Sequence, residues 1–206
     1  MQRIPVVLLM MLIAMLTPDR AVAQVKGIIH IGVTGSSFRG GALENAMPIY
    51  RLAGGAGLRY SYPSGLELES GLDYAVKGAE LEGMFEDIPI EGTSEITYLS
   101  VPVLIGYRWH TMGRLQPRVV GGAALAFKTD ARISYRAVGS GIEQTTIDDG
   151  IGERDLGWIV GLDVDTLVGG ETLMGGLRLI LGQSNARTVE PEVLNTTVTA
   201  FVGIIF

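Results

Sequence analysis

Apolar and polar side chains alternate at every second position along most of this 206-residue chain, so the fold is confined to strands with one apolar and one polar face. In the clearest segment Leu66, Leu68, Leu72, Tyr74 and Val76 oppose Glu67, Glu69, Asp73 and Lys77. Before it, Leu52, Ala56, Leu58 and Tyr60 oppose Arg51, Gly55, Gly57 and Arg59, and Tyr62-Pro63-Ser64-Gly65 joins the two as a tight turn. Downstream, Leu99, Val101, Val103, Ile105, Tyr107 and Trp109 oppose Tyr98, Ser100, Pro102, Gly106 and Arg108. Leu115, Val119, Ala123, Leu125 and Phe127 oppose Gln116, Arg118, Gly122 and Lys128. Next, Leu156, Trp158, Val160, Leu162 and Val164 oppose Asp155, Gly157, Gly161, Asp163 and Asp165. Two further segments set Leu173, Leu177, Leu179 and Leu181 against Gly176, Arg178 and Gly182, and Val198, Ala200, Val202, Ile204 and Phe206 against Thr197, Thr199 and Gly203. A weaker strand over Ile28 to Phe38 completes a set that predicts eight strands.

The connections carry the next constraint. Long, glycine-rich or acidic segments at 39–48, 78–94, 129–152 and 185–194 alternate with short turns near 62–65, 110–114 and 168–171. In an even-stranded antiparallel barrel every second connection shares a rim, so this order puts all the long loops at one end, the anatomy of a transmembrane up-and-down β-barrel. A soluble barrel with the same topology turns its apolar face inward instead. A content of 47% hydrophobic against 18% charged residues favours the membrane form. So do aromatics near strand ends, Tyr60, Tyr62, Tyr107, Trp109, Phe127, Trp158 and Phe206, where interfacial girdles are expected.

The N-terminus supplies a route to that compartment. A basic start at Met1-Gln2-Arg3, an apolar run from Val6 to Leu16 and the ending Ala21-Val22-Ala23 predict a signal peptide over residues 1–23, with the barrel domain over 24–206. The run falls well short of the ~20 residues that a spanning helix needs, and Pro18 interrupts its far side. The formal net charge of −6 gives no attraction to nucleic acid. The absence of cysteine excludes disulfide scaffolds and thiolate metal sites.

Alternation assigns an inward face charged with both signs. Arg51, Arg59, Arg108, Arg118 and Arg178 with Lys77 and Lys128 stand against Glu67, Glu69, Asp73, Asp155, Asp163 and Asp165. An eight-stranded barrel is just wide enough to be filled by side chains, so these groups are expected to pair into a structural network that plugs the lumen. A charged conduit for a small solute is the alternative reading. The carboxylate pairs Glu67/Glu69 and Asp163/Asp165 have the composition of an acid–base site, but i and i+2 side chains on one strand face also fit a ladder of ion pairs. His30 and His110 accompany no recognisable nucleophilic arrangement, and the glycine-rich segments match neither a phosphate loop nor a dinucleotide fingerprint. Glu143, Asp148, Asp149 and Glu153 lack the spacing of a calcium loop, and the sequon Asn195-Thr196-Thr197 opens a predicted strand. The expectation is a protein without enzymatic activity or cofactor.

Several stretches resemble the small outer-membrane β-barrel family that includes the PorT-type proteins. They are Ile31-Gly32-Val33 leading to Ser36-Ser37-Phe38, Gly54-Gly55-Ala56-Gly57-Leu58-Arg59-Tyr60, Leu66 to Tyr74 followed by Lys77-Gly78, and Tyr98-Leu99-Ser100-Val101-Pro102-Val103-Leu104-Ile105-Gly106-Tyr107. The resemblance covers nearly all of residues 27–206 and implies an eight-stranded barrel in outer-membrane lipid with both termini in the periplasm. It further implies an accessory role in protein secretion; apart from the resemblance, insertion by the barrel-assembly machinery is expected, and the extracellular loops are expected to contact an extracellular or membrane partner. Phe206 supplies the terminal aromatic of the assembly signal, although Gly203 is not at the customary spacing from it.

Overall fold

The computed structural model describes residues 24–39, 46–85, 88–109, 113–137, 143–147, 152–183 and 194–206; the expected leader, His110, Asp148 and Asp149 lie outside them. The described residues form nine strands: β1 (Gln24–Arg39), β2 (Met47–Ser61), β3 (Leu66–Phe85), β4 (Ile88–Arg108), β5 (Leu115–Ala137), β6 (Glu143–Ile147), β7 (Arg154–Val168), β8 (Glu171–Gly182) and β9 (Leu194–Ile205). Eight of them close a ring of antiparallel neighbours, because β1 pairs with both β2 and β9 while β4 pairs with both β3 and β5. The short β6 pairs with the far end of β5 at Arg132–Arg136, beyond the stretch of β5 that holds β7. The chain is therefore the all-β, eight-stranded antiparallel barrel that the alternation predicts.

Closure sets the width. Followed partner by partner around the ring, the register that leaves β1 at Ile29 returns to it at Arg39, a stagger of ten residues. At about 3.3 Å per residue and about 4.8 Å between strands, that stagger corresponds to a tilt of about 40° and a radius of about 8 Å. Such a ring has an interior for side chains and little else.

The tight connections lie at the end where β1 begins and β9 finishes. Gly65 donates its N–H to the Tyr62 carbonyl at 3.0 Å, and Gly169 and Gly170 take φ of 63° and 97° in a two-residue hairpin loop that requires positive φ at both places. Gly27 and Phe206 exchange backbone hydrogen bonds of 2.7 and 3.0 Å and close the β1–β9 seam beside those turns.

Two of the segments expected as long loops are largely strand. β3 and β4 run on to Phe85 and from Ile88, and β5 continues to Ala137, so residues 78–85, 88–94, 129–137 and 143–147 belong to a sheet that rises past the rim. Their acidic and glycine-rich composition reads as loop. Outside lipid, however, a strand tolerates charge on its solvated face while the ladder still satisfies the backbone. Alternation persists there, with Gly92, Ser94 and Ile96 buried and Glu91 exposed. β1 likewise extends beyond the expected Ile28–Phe38 at both ends.

Candidate functional site

Side-chain direction alternates along a strand, and in β7 Asp155, Gly157, Ile159, Gly161, Asp163 and Asp165 are buried while the residues between them are exposed. Six strands deliver charge to one level of the interior by this rule. Arg59 comes from β2, Glu67 and Glu69 from β3, Arg108 from β4, Arg118 from β5, Asp163 and Asp165 from β7, and Arg178 from β8. This level lies toward the turn end, since Glu67 directly follows the 62–65 turn and Arg108 ends β4.

The eight groups interlock. The Glu69 carboxylate meets Arg118 Nη2 and Arg178 Nη2 at 2.8 Å and Arg59 Nε at 3.2 Å. Glu67 meets Arg118 Nε at 2.8 Å and Arg108 Nε at 3.3 Å, and accepts a hydrogen bond of 2.9 Å from Ser61 Oγ. Asp163 Oδ2 accepts from Arg118 Nη1 at 2.8 Å and Arg178 Nη2 at 3.1 Å, and Asp165 Oδ2 from Arg59 Nη1 at 2.6 Å. Four guanidiniums thus face four carboxylates with no net charge, and Arg118 and Glu67 are fully buried. Such a set is stable only when complete, since each buried ion costs several kcal/mol to desolvate and recovers it from its partners. Both carboxylate pairs are engaged by arginine, so neither stands as a free acid and base.

Room for these side chains comes from glycine on facing strands. A Cβ at Gly106 would lie 2.7 Å from Arg118 Nε, one at Gly161 2.8 Å from Arg178 Cγ, and one at Gly176 2.5 Å from Asp163 Oδ1. The 29 glycines of the chain are in part space for arginine.

The remaining predicted network residues lie elsewhere. Asp73 stands higher in the lumen, with its Oδ1 3.5 Å from His30 Nε2. The His30 ring packs on Phe201 at 5.4 Å, and the Arg178 guanidinium covers Phe201 at 4.7 Å. Lys77 Nζ lies 3.5 Å from Asp155 Oδ2 and 4.9 Å from the Tyr98 ring centre. Arg51 departs from its predicted place: it is exposed and pairs with the partly exposed Glu95. The register of β2 against β3 shifts between Pro48 and Ala53, one extra residue on β2, and around that bulge Tyr50, Arg51 and Leu52 are all exposed, although Ile49, of the same parity as Arg51, is buried. Sequence reasoning left His30 without a role. Its position two residues from the buried Ile28, in step with buried Thr34 and Ser36, is the signal that puts it inside.

Among the described residues no group of three or more His, Cys, Asp or Glu could hold a metal ion. Glu153 is exposed next to β7, and Glu143 opens β6. Asn195 is almost fully buried in the barrel, out of reach of any glycosylating enzyme.

The outer wall is apolar. Leu58, Leu72, Val103, Leu162, Leu177 and Val202 are each more than half exposed. A belt of that size on a folded monomer marks a surface made for lipid. Tyr107 packs edge-on to Trp109 at 5.5 Å and Tyr60 to Tyr62 at 4.8 Å at the turn end, while Trp158, Phe127 and Tyr50 stand exposed toward the other. The Phe206 ring lies over Gly27 on the same wall. A closed barrel with an apolar outside between aromatic girdles and a charged inside is a transmembrane β-barrel.

The sequence agrees. A sequence model of the outer membrane protein beta-barrel domain matches residues 24–182, and the chain belongs to that family, whose place is the lipid of the outer membrane. Among solved structures it is similar to Ail, the attachment invasion locus protein of Yersinia pestis, at 13% identity, covering 89% of this chain and 99% of that one with a TM-score of 0.46. It is also similar to Neisserial surface protein A at 16% identity, with coverage of 87% and 97% and a TM-score of 0.46. OprG of Pseudomonas aeruginosa is 12% identical, with coverage of 90% and 95% and a TM-score of 0.44. No curated protein sequence matches the chain.

Proposed function

We propose that this outer-membrane barrel is a non-enzymatic protein whose lumen is sealed against solutes by the four-arginine, four-carboxylate network, and that it acts through the strands rising past its rim. The observation that carries the reading is that six of the eight barrel strands are tied to one another across the interior by ion pairs, most of them at 2.6–3.3 Å. Opening a path would require separating buried ions in a ring about 8 Å in radius, where no solvent replaces the lost partners. The network residues predicted from sequence, apart from Arg51 and Asp73, would therefore be structural. Planar-bilayer recording of the purified protein tests this: a flat trace is expected, and steady unitary steps would overturn the seal in favour of a narrow channel.

The sheet formed by the outer parts of β3, β4, β5 and β6 would then be the contact surface for an extracellular or envelope partner. An accessory role in secretion, as the PorT-type resemblance implies, would use the same surface. Deleting the protein should then abolish export of secreted cargo, and undiminished export removes that role. Insertion would proceed through the barrel-assembly machinery, with the exposed terminal Phe206 as part of its signal.

A further inference from the structure

On the half of the outer wall nearer the turns, an open groove of about 660 Å³ crosses β7, β8, β9 and β1. Its banks follow the register. Thr166, Leu173, Ile204 and Ile29 are partners in one row, and Val164, Gly175, Val202 and Ile31 in the row two residues farther from the turns. Gly175 notches the upper bank, because a Cβ there would meet no atom closer than 3.6 Å. Apart from Thr166 both banks are apolar.

The groove is inclined to the membrane. The register climbs ten residues per circuit in the sense β1 to β2, so a row followed the other way falls from Ile29 on β1 to Thr166 on β7. Over three strand spacings of about 4.8 Å, at a tilt of about 40°, the fall is about 9 Å. Polar groups gather at its foot. Thr166 contributes the hydroxyl, and its partner on β5 is Leu115, which follows the exposed Arg114. Arg114 has no ion-pair partner among the described residues.

We propose that this groove holds one glycerophospholipid, with an acyl chain between the two rows over Gly175, an ester carbonyl accepting from Thr166 Oγ1 and the phosphate on Arg114. The short turns of outer-membrane barrels face the periplasm, so the foot of the groove meets the phospholipid leaflet. Down the groove come an apolar length, a hydroxyl donor and a guanidinium, which is the order of groups from chain to phosphate in the lipid. Arginine suits the phosphate at that level. The volume is within the ~300–1,000 Å³ of sites that hold a small organic molecule. The site rests on the outer wall meeting lipid and is independent of whether the lumen conducts.

Native mass spectrometry of the purified protein in detergent, titrated with dioleoyl phosphatidylglycerol, tests the proposal. One retained lipid per barrel is expected. Its apparent affinity should fall at least tenfold in Gly175→Leu, which fills the groove, and in Arg114→Gln, which removes an exposed charge. It should be unchanged in Gly121→Leu, the same addition at another open place on the wall. Dioleoylglycerol, which lacks the phosphate, should bind wild type no better than phosphatidylglycerol binds Arg114→Gln. A heat-dependent shift in gel mobility shows beforehand that each variant is folded. Equal retention by wild type and Arg114→Gln, an equal loss in Gly121→Leu, or a dimer mass in place of the lipid adduct overturns the site. So does undiminished binding of dioleoylglycerol.

Discussion

Replacing Arg118 by methionine removes the guanidinium that touches three of the four network carboxylates, Glu67, Glu69 and Asp163, each at 2.8 Å. The stem volume is kept, so the perturbation is electrostatic. Glu69 retains Arg59 and Arg178, Asp163 retains Arg178, and Glu67 retains Arg108 at 3.3 Å, but the buried set now carries one uncancelled negative charge. Breaking a buried ion pair from one side costs about 3–5 kcal/mol, and the surviving partners put this case near 3. With a urea slope of about 2 kcal/mol per molar, the unfolding midpoint in phospholipid vesicles should fall by about 1.5 M. Emission from Trp109 and Trp158, the two tryptophans of the chain, reports the transition. Adding Glu69→Gln restores three against three and should recover at least half of the loss. A single variant within about 0.5 kcal/mol of wild type, or a double variant whose loss is the sum of the two single losses, would refute a coupled network.

Neighbouring glycines on β8 should behave oppositely. A Cβ at Gly176 would meet Asp163 Oδ1 at 2.5 Å, so Gly176→Ala should cost about 1–3 kcal/mol, whereas Gly175, whose Cβ would meet nothing closer than 3.6 Å, should accept alanine within about 0.5 kcal/mol in the same urea titration. Leu162 is 67% exposed on the outer wall of β7, and Leu162→Arg should lose about 2–4 kcal/mol if that wall meets the bilayer interior; an unchanged midpoint would place it in water. Trp158 and Trp109 should both be quenched by brominated lipid, and quenching of neither would remove the aromatic girdles. Unboiled protein should migrate differently from boiled protein on a detergent gel, and a single unshifted band would contradict a closed barrel.

Much of the fold is legible in the sequence because strand faces obey a local rule. Leu66 through Val76 alternate on paper and alternate in the barrel, and the short turns at Tyr62–Gly65 and Gly169–Gly170 announce themselves by composition. Where local rules meet long-range pairing, reading fails. Residues 78–94 look like an acidic loop, yet the backbone of β4 finds partners on both sides, β3 and β5, and stays extended. Arg51 has the parity of Arg59 and of buried Ile49, yet beside the bulge of β2 it turns outward.

The sequence by itself determined the number of barrel strands, the end at which the long connections gather, and the identity of most interior charges. All of these follow from residue parity and turn chemistry, which need no knowledge of the partner strand. Only the tertiary structure decided which charges meet. Glu69 and Arg178 stand 109 residues apart and Arg59 and Asp165 stand 106 apart, and they join because a stagger of ten residues around eight strands brings those rows to one level. The same closure separates Asp73 and the Lys77–Asp155 pair from the network, because the height of a side chain in a barrel depends on the shear of the whole ring.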